Sequence, residues 1–288
     1  MILVLYHDKV IKSDYTEKGW NLTMKKLIAL ILAAVLCTLC LAACGAKEPA
    51  TDWEAIQKKG KMIVGVTEFA PMNYYAADGS WTGFDTEFAQ AVAAELGIEV
   101  EFIVIDWDNK ILELDAGSID CVWNGMTLSA EVLAGMSCTD PYIKNAQVVV
   151  MKADKAAQYP TVESMKSLKF VAEASSAGEQ AIKDNGLDAN YTAVGDQGAA
   201  LMEVKSGSAD ACVIDITMAN SMTGEGTSYA DLTYTIALTS EEYGIGFRKG
   251  SDMPAKVNEI MKKLVESGKL NEIAAKYELT DSLVSNQK

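Results

Sequence analysis

The chain has 288 residues, 49% of them hydrophobic, with 40 acidic against 25 basic side chains and a formal net charge of −15. So acidic a surface is repelled by phosphate backbones, which excludes nucleic acid as a partner, and it has no affinity for anionic lipid except through an anchor. The single histidine, His7, lies in the N-terminal leader, so Ser-His-Asp catalysis, Cys-His catalysis and histidine zinc sites are excluded from the rest of the chain.

The first 43 residues read as a segment that precedes the fold. Met24-Lys25-Lys26 forms a basic head, Leu27 to Leu41 is an uncharged apolar run, and Leu41-Ala42-Ala43-Cys44 closes it with small residues. This three-part order is that of a secretory signal, and the run is shorter than the 17–25 residues a permanent membrane helix needs. The tetrapeptide resembles a bacterial lipobox, which implies cleavage before Cys44, lipid on its thiol and an extracytoplasmic, membrane-tethered product. Residues 1–43 are thus an extension plus signal peptide, and 44–52 a tether. Removing 1–43 takes away five lysines and three acidic residues and leaves a charge of about −17.

Beyond Cys44 the cysteines are Cys121, Cys138 and Cys212, none in CxxC spacing. An odd number leaves at least one unpaired, as a small buried hydrophobe. A Cys121–Cys138 bond is left open by the sequence. No metal and no cofactor are expected.

From Lys61 onward short β-rich runs alternate with helical patterns. KMIVGV (61–66) predicts a strand and FDTEFAQAVAAELG (84–97) a helix, its Phe84, Phe88, Val92 and Leu96 at helical spacing and Gly97 at the stop. VEFIVI (100–105), WDNKILELDAG (107–117) and IDCVWNG (119–125) continue as strand, helix and strand, a βαβαβ unit with parallel strands. A second unit follows: KFVAEA (169–174), a helix from about Ala177, NYTAV (190–194), GDQGAALMEVKSG (195–207) and ADACVIDI (209–216). The phrases ELDAGSIDCVW and EVKSGSADACVI are nearly superimposable, and two similar α/β lobes are the simplest account of a chain this long. AQVVVMKAD (146–154) leaves the first set, and TSEEYGIGFRKGSD (239–252) returns before helices at about 254–266 and 269–276. Strands near Gln147–Met151 and Tyr243–Phe247 are therefore expected to be the crossings of a hinge between lobes.

Five landmarks in order carry a family resemblance: VGVTEFAPMNYYAADGSWTGFDTEFAQAVAAELG, WNGMTLS with CTDPY after it, SSAGE, VIDITMA and YGIGFRKGSD. Over about residues 52–278 the chain resembles the family 3 extracytoplasmic solute-binding proteins of amino-acid ABC importers. The resemblance implies a type II periplasmic-binding-protein fold, two α/β lobes joined by a two-strand hinge. Residues 53–146 would begin lobe 1, 147–240 form lobe 2, and 241–288 return to lobe 1. It also implies a monomer that captures an amino acid or related small amine for a membrane permease and its ATPase, with no catalysis.

Ligands of open α/β sheets sit at the carboxyl ends of strands. Asn124, Gly125 and Thr127 follow one such strand end, and Ser176 and Ala177 follow another at a helix start, where free N–H groups favour anions. Read singly these are an ordinary turn and an ordinary cap; the resemblance places both on the ligand's carboxylate. It likewise assigns Asp215 to the ligand's ammonium group and Phe69 to an aromatic wall. Trp107 and Trp123 are further aromatic candidates, either wall or core. Members of the family usually carry a carboxylate-clamping arginine three residues beyond the position of Ser129, and this chain has Val132 there. Its only arginine, Arg248, lies elsewhere, and Ala177 replaces an expected threonine. Backbone amides at 125–127 and 176–178, or Lys110 or Lys144 as point charges, are the expected substitutes. Glu68 and Glu173 either face solvent or add acid to the cleft, in which case the ligand brings positive charge. Two other readings stay open on the same fold: a cleft enzyme resembling cyclohexadienyl dehydratase, with Glu173 as acid, and a sensor or adhesin.

Overall fold

The computed structural model describes residues 26–27 and 51–287. Cys44, residues 28–41 of the apolar run and His7 lie outside the described residues. Among those described, no helix is long and apolar enough to cross a membrane.

Residues 50–288 form one compact unit built on two sheets. After helix α1 (Asp52–Lys59) come strand β1 (Lys61–Val66), the hairpin β2 (Tyr74–Tyr75) and β3 (Trp81–Thr82), and helix α2 (Phe84–Leu96). Strand β4 (Glu99–Val104), helix α3 (Lys110–Ala116), strand β5 (Cys121–Thr127), helix α4 (Ala130–Gly135) and the short strands β6 (Ser137–Cys138) and β7 (Ile143–Asn145) follow. The first sheet has the order β4-β1-β5, then strand β13 (Glu241–Phe247), then β6, with β7 also on β13. β1 runs parallel to β4 and β5, whereas β13 is antiparallel to β5.

The second sheet comes from strand β8 (Gln147–Lys152) onward: helix α5 (Ala153–Ala156), strand β9 (Phe170–Glu173), helix α6 (Ala177–Asp184), strand β10 (Tyr191–Val194), helix α7 (Gln197–Ser206), strand β11 (Ala211–Asp215), helix α8 (Ile216–Met222) and strand β12 (Leu232–Ala237). Its order is β10-β9-β11-β8-β12, parallel from β10 through β11 and antiparallel at β8 and β12. Helices α9 (Met253–Glu266) and α10 (Lys269–Lys276) pack against α2, and two short 3-10 turns follow them. This is the type II periplasmic-binding-protein architecture.

Strands of a sheet covered on both faces must be apolar on both faces, and β1 shows why its sequence runs KMIVGV. Met62, Val64 and Val66 pack with Phe84, Phe88 and Val92 of α2, while Ile63 joins Leu114 and Ile119 on the opposite face. The two superimposable phrases are helix-to-strand turns of one design. Gly117 and Gly207 both adopt the left-handed conformation, and the following serines return their N–H to Glu113 and Glu203 carbonyls at 3.1 and 3.0 Å. That pair of bonds closes the last helical turn and drops the chain into the next strand.

The chain passes between the sheets twice, at residues 145–147 and 237–241. The crossings are therefore one step earlier than the expected Gln147–Met151 and Tyr243–Phe247, which lie inside the sheets as β8 and β13. The crossing segments run side by side: Leu238 N donates to Gln147 O at 2.7 Å, and Gln147 N to Thr239 Oγ1 at 2.8 Å. Cys121, Cys138 and Cys212 are unpaired; Cys121 and Cys138 lie on strands separated by β13, which forbids the bond the sequence left open.

Candidate functional site

The carboxyl ends of β5, β9 and β11 and the loop after β1 converge on one cavity of about 840 Å³ between the two sheets. Phe69, Trp107, Asn124, Gly125 and Thr127 line it from the first lobe, and Glu173, Ser176, Ala177 and Asp215 from the second. Glu68 does not line it: side chains alternate along the extended chain, so Thr67 and Phe69 point inward and Glu68 is exposed. Trp123 is fully buried and does not line the cavity either; it packs edge-on against Phe88, a core residue.

Two residues line the cavity with their polar groups turned away from it. Asn124 Oδ1 accepts from Thr67 N and Oγ1 at 3.0 and 2.7 Å, and its Nδ2 donates to Thr67 O at 3.0 Å. It ties the loop after β1 to β5. Gly125 N donates to the fully buried Asp85 carboxylate at 2.7 Å, which Tyr142 also serves at 2.9 Å. Gly125 N–H is therefore not a substitute for the missing arginine, against expectation. The site requires glycine here because φ is +55° and a Cβ would stand 2.4 Å from the Phe69 ring. Val132 is buried among Ile105, Trp107 and Leu114 and is joined to the Ser129 cap at 3.2 Å. An apolar contact occupies the arginine position. Arg248 is remote, holding Asp52 at 2.9 Å and the Leu114 and Ile119 carbonyls at 3.1 Å.

The acidic end is more elaborate than the sequence suggested. Asp215 Oδ1 accepts from Gln147 Nε2 at 2.8 Å, Tyr243 Oη at 2.7 Å and Asn145 Nδ2, and its Oδ2 accepts from Gln197 Nε2 at 2.5 Å. Glu241 Oε1 accepts from the same Asn145 and Gln147 amides and from Thr127 Oγ1, each at 2.7 Å. Glu241, Asn145, Gln147, Gln197 and Tyr243 are the site residues that sequence reasoning missed. A signal was present: Asn145 and Gln147 interrupt an otherwise apolar run at strand spacing, where a buried amide demands a partner.

Burial and the neighbouring Glu241 push the Asp215 carboxyl up to about 7, opposed by its hydrogen bonds from Tyr243, Gln197 and Gln147. Glu173, 3% exposed, is pushed up to about 8 by burial, then by Asp215 and Asp196, with Lys110 opposing. Its Oε1 has no partner among the described residues. Lys110 is buried 5.0 Å over the Trp107 ring, and its Nζ donates to Trp107 O at 3.2 Å and to Ser175 O across the cleft at 3.0 Å. Burial lowers its pKa, opposed by Glu131, Glu173 and Asp108. Ser175 also donates to Asp108, so the two lobes touch at the cavity mouth. Lys144 is exposed at the rim.

The sequence profile of the bacterial extracellular solute-binding proteins, family 3, matches residues 62–280. A probable histidine-binding protein of Neisseria gonorrhoeae is 30% identical over 264 residues, 89% of this chain and 96% of that one. Among solved structures, an ABC uptake transporter substrate-binding protein of Streptococcus pneumoniae with bound histidine superposes with a TM-score of 0.74 at 30% identity, covering 82% of this chain and 99% of that one. The ancestral amino-acid-binding protein AncCDT-1, a precursor of cyclohexadienyl dehydratase, superposes with a TM-score of 0.72 at 30% identity, covering 78% and 98%. With two hinged α/β lobes, a cavity at their strand ends and a profile match across both, the chain belongs to the family 3 bacterial extracellular solute-binding proteins.

Proposed function

We propose that the protein is the substrate-binding lipoprotein of an ABC importer. As a monomer it captures an amino acid or related small amine between lobe 1 (53–146 and 241–288) and lobe 2 (147–240) and delivers it to a membrane permease and its ATPase. The observation that carries this reading is Asp215, a buried carboxylate fixed by four donors at the floor of a cavity that a hinge can open. Aligned by those donors, its remaining acceptor capacity suits a ligand ammonium group. Closure is set by Lys110 and Asp108 of lobe 1 meeting Ser175 of lobe 2.

Thermal shift against amino acids and amines tests this first, since a ligand at about 100 times its Kd adds about 2.7 kcal/mol. A hit should also shrink the radius of gyration in small-angle scattering while leaving circular dichroism unchanged. Stabilisation by neither class would refute the reading.

An enzymatic reading is favoured by one feature, the buried Glu173 carboxyl whose raised pKa suits a proton donor. Weighing against it, the cavity offers no guanidinium to a dicarboxylate substrate, and recovery of the ligand unchanged after prolonged incubation is the expected result. Tethering is proposed to run through lipidated Cys44. Cys44→Ser should release the protein from the membrane fraction, and unchanged retention with an intact leader would remove the anchor from the proposal.

A further inference from the structure

The cavity lining carries six carboxylates, those of Glu131, Glu173, Asp184, Asp215, Glu241 and Glu242, against the ammonium groups of Lys110 and Lys144 alone. Most of the acid at the rim is solvated. Glu173 is not: it is 3% exposed, lines the cavity, and its Oε1 has no partner among the described residues. A buried carboxylate oxygen left without a partner is costly, and a cation arriving with the ligand removes that cost. Asp215 and Glu241 form a second acidic locus, bridged by the Asn145 and Gln147 amides.

Donors for a ligand carboxylate are correspondingly scarce. Val132 stands where a guanidinium would be useful, Gly125 N–H is spent on Asp85, and Thr127 Oγ1 donates to Glu241. Ala177 brings no hydroxyl, Ser176 Oγ is the cap of α6, and Lys110 gives two of its three N–H groups to backbone carbonyls, leaving one. The amides of Asn145, Gln147 and Gln197 already face protein carboxylates. An α-carboxylate entering this cavity would have the third Lys110 N–H and the first-turn amides of α6 to set against six carboxylates.

We infer that the ligand is a dication without a carboxylate, a short aliphatic diamine with one ammonium group on Asp215 and Glu241 and the other on Glu173. The inference rests on the cavity being a ligand site and names the class of compound that site takes. Glu173 is its specificity residue, since it separates two cations from one. Unlike Asp215 it is not held by a fan of donors, so its substitution by glutamine leaves the hinge network in place.

Calorimetry on the purified protein at about pH 8 tests the inference with 1,4-diaminobutane and 1,5-diaminopentane. Ornithine and lysine are the same diamines bearing a carboxylate, and butylamine is the single cation. Each diamine is expected to bind at least about tenfold more tightly than its amino acid and than butylamine. Glu173→Gln, with its fold checked by circular dichroism, should weaken diamine binding by about tenfold or more and leave butylamine within about twofold. Ornithine or lysine binding as tightly as the diamine overturns the inference while sparing the proposed function, because Lys110 and the first-turn amides of α6 would then be receiving the carboxylate. Equal weakening of diamine and butylamine in Glu173→Gln overturns it too. Binding of no amine and no amino acid removes the proposed function along with it.

Discussion

Replacing Asp215 by asparagine is expected to weaken ligand binding by more than about a hundredfold. The carboxylate is 6% exposed, and breaking a buried charged pair by removing one partner costs about 3–5 kcal/mol, where about 1.4 kcal/mol is already tenfold. The empty protein should respond far less, because two effects oppose each other. Losing the charge relieves repulsion between Asp215 and Glu241, which is stabilising. Turning one oxygen into an amide sets it against Gln197 Nε2, and Gln197 cannot simply flip because its Oε1 accepts from Asp215 N at 3.0 Å. A thermal midpoint within about 3 °C of the parent is expected, since about 1 kcal/mol corresponds to 2–4 °C in a domain of this size. Calorimetry with the cognate ligand decides the matter: affinity within a few-fold of the parent would show that Asp215 is not the ammonium site.

Acidification from about pH 8 to about pH 6 is expected to release the ligand and, at the same time, to stabilise the empty protein. Glu173 and Asp215 titrate in the folded state at about 8 and about 7, both raised chiefly by burial. Below those values the empty cavity holds protons that a cationic ligand must displace, so binding releases protons and weakens as pH falls. The sign for stability is opposite. A carboxyl raised in the folded state binds more protons there than in the unfolded chain, and its contribution is fully present below the unfolded value near 4 and lost as pH climbs through 7 and 8. Asp85, raised to about 7 by burial, adds to the same trend without touching the ligand. Within that window each such group changes stability by at most about 1.4 kcal/mol per pH unit, a shift of several degrees in melting temperature. Melting curves and calorimetry across the range, in buffers of different ionisation enthalpy, measure both effects. Glu173→Gln and Asp215→Asn should each flatten the affinity profile, and a profile unchanged by either variant would show that these carboxyls do not control it.

Much of the fold was legible because the signals that specify it are local. The strand KMIVGV, the helix FDTEFAQAVAAEL and the paired turns ELDAGS and EVKSGS are set by side-chain period and by a glycine that can close a helix. The ends of the parallel strands are set by the same signals, so the sequence alone placed Asp215, Glu173, Thr127 and Ser176 at strand or helix ends, and the family resemblance marked Val132 as standing where an arginine is usual. Tertiary structure decided which of those groups remain available. Asn124 is committed to Thr67 and Gly125 to Asp85, across 57 and 40 residues, while Asn145 and Gln147 bring Asp215 and Glu241 together across 70 and 94. Spacing along a chain carries no record of partners so distant: a polar side chain's period tells which face it occupies, but only the packing of two sheets around a hinge determines whether its hydrogen bonds are spent on the protein or left for a ligand.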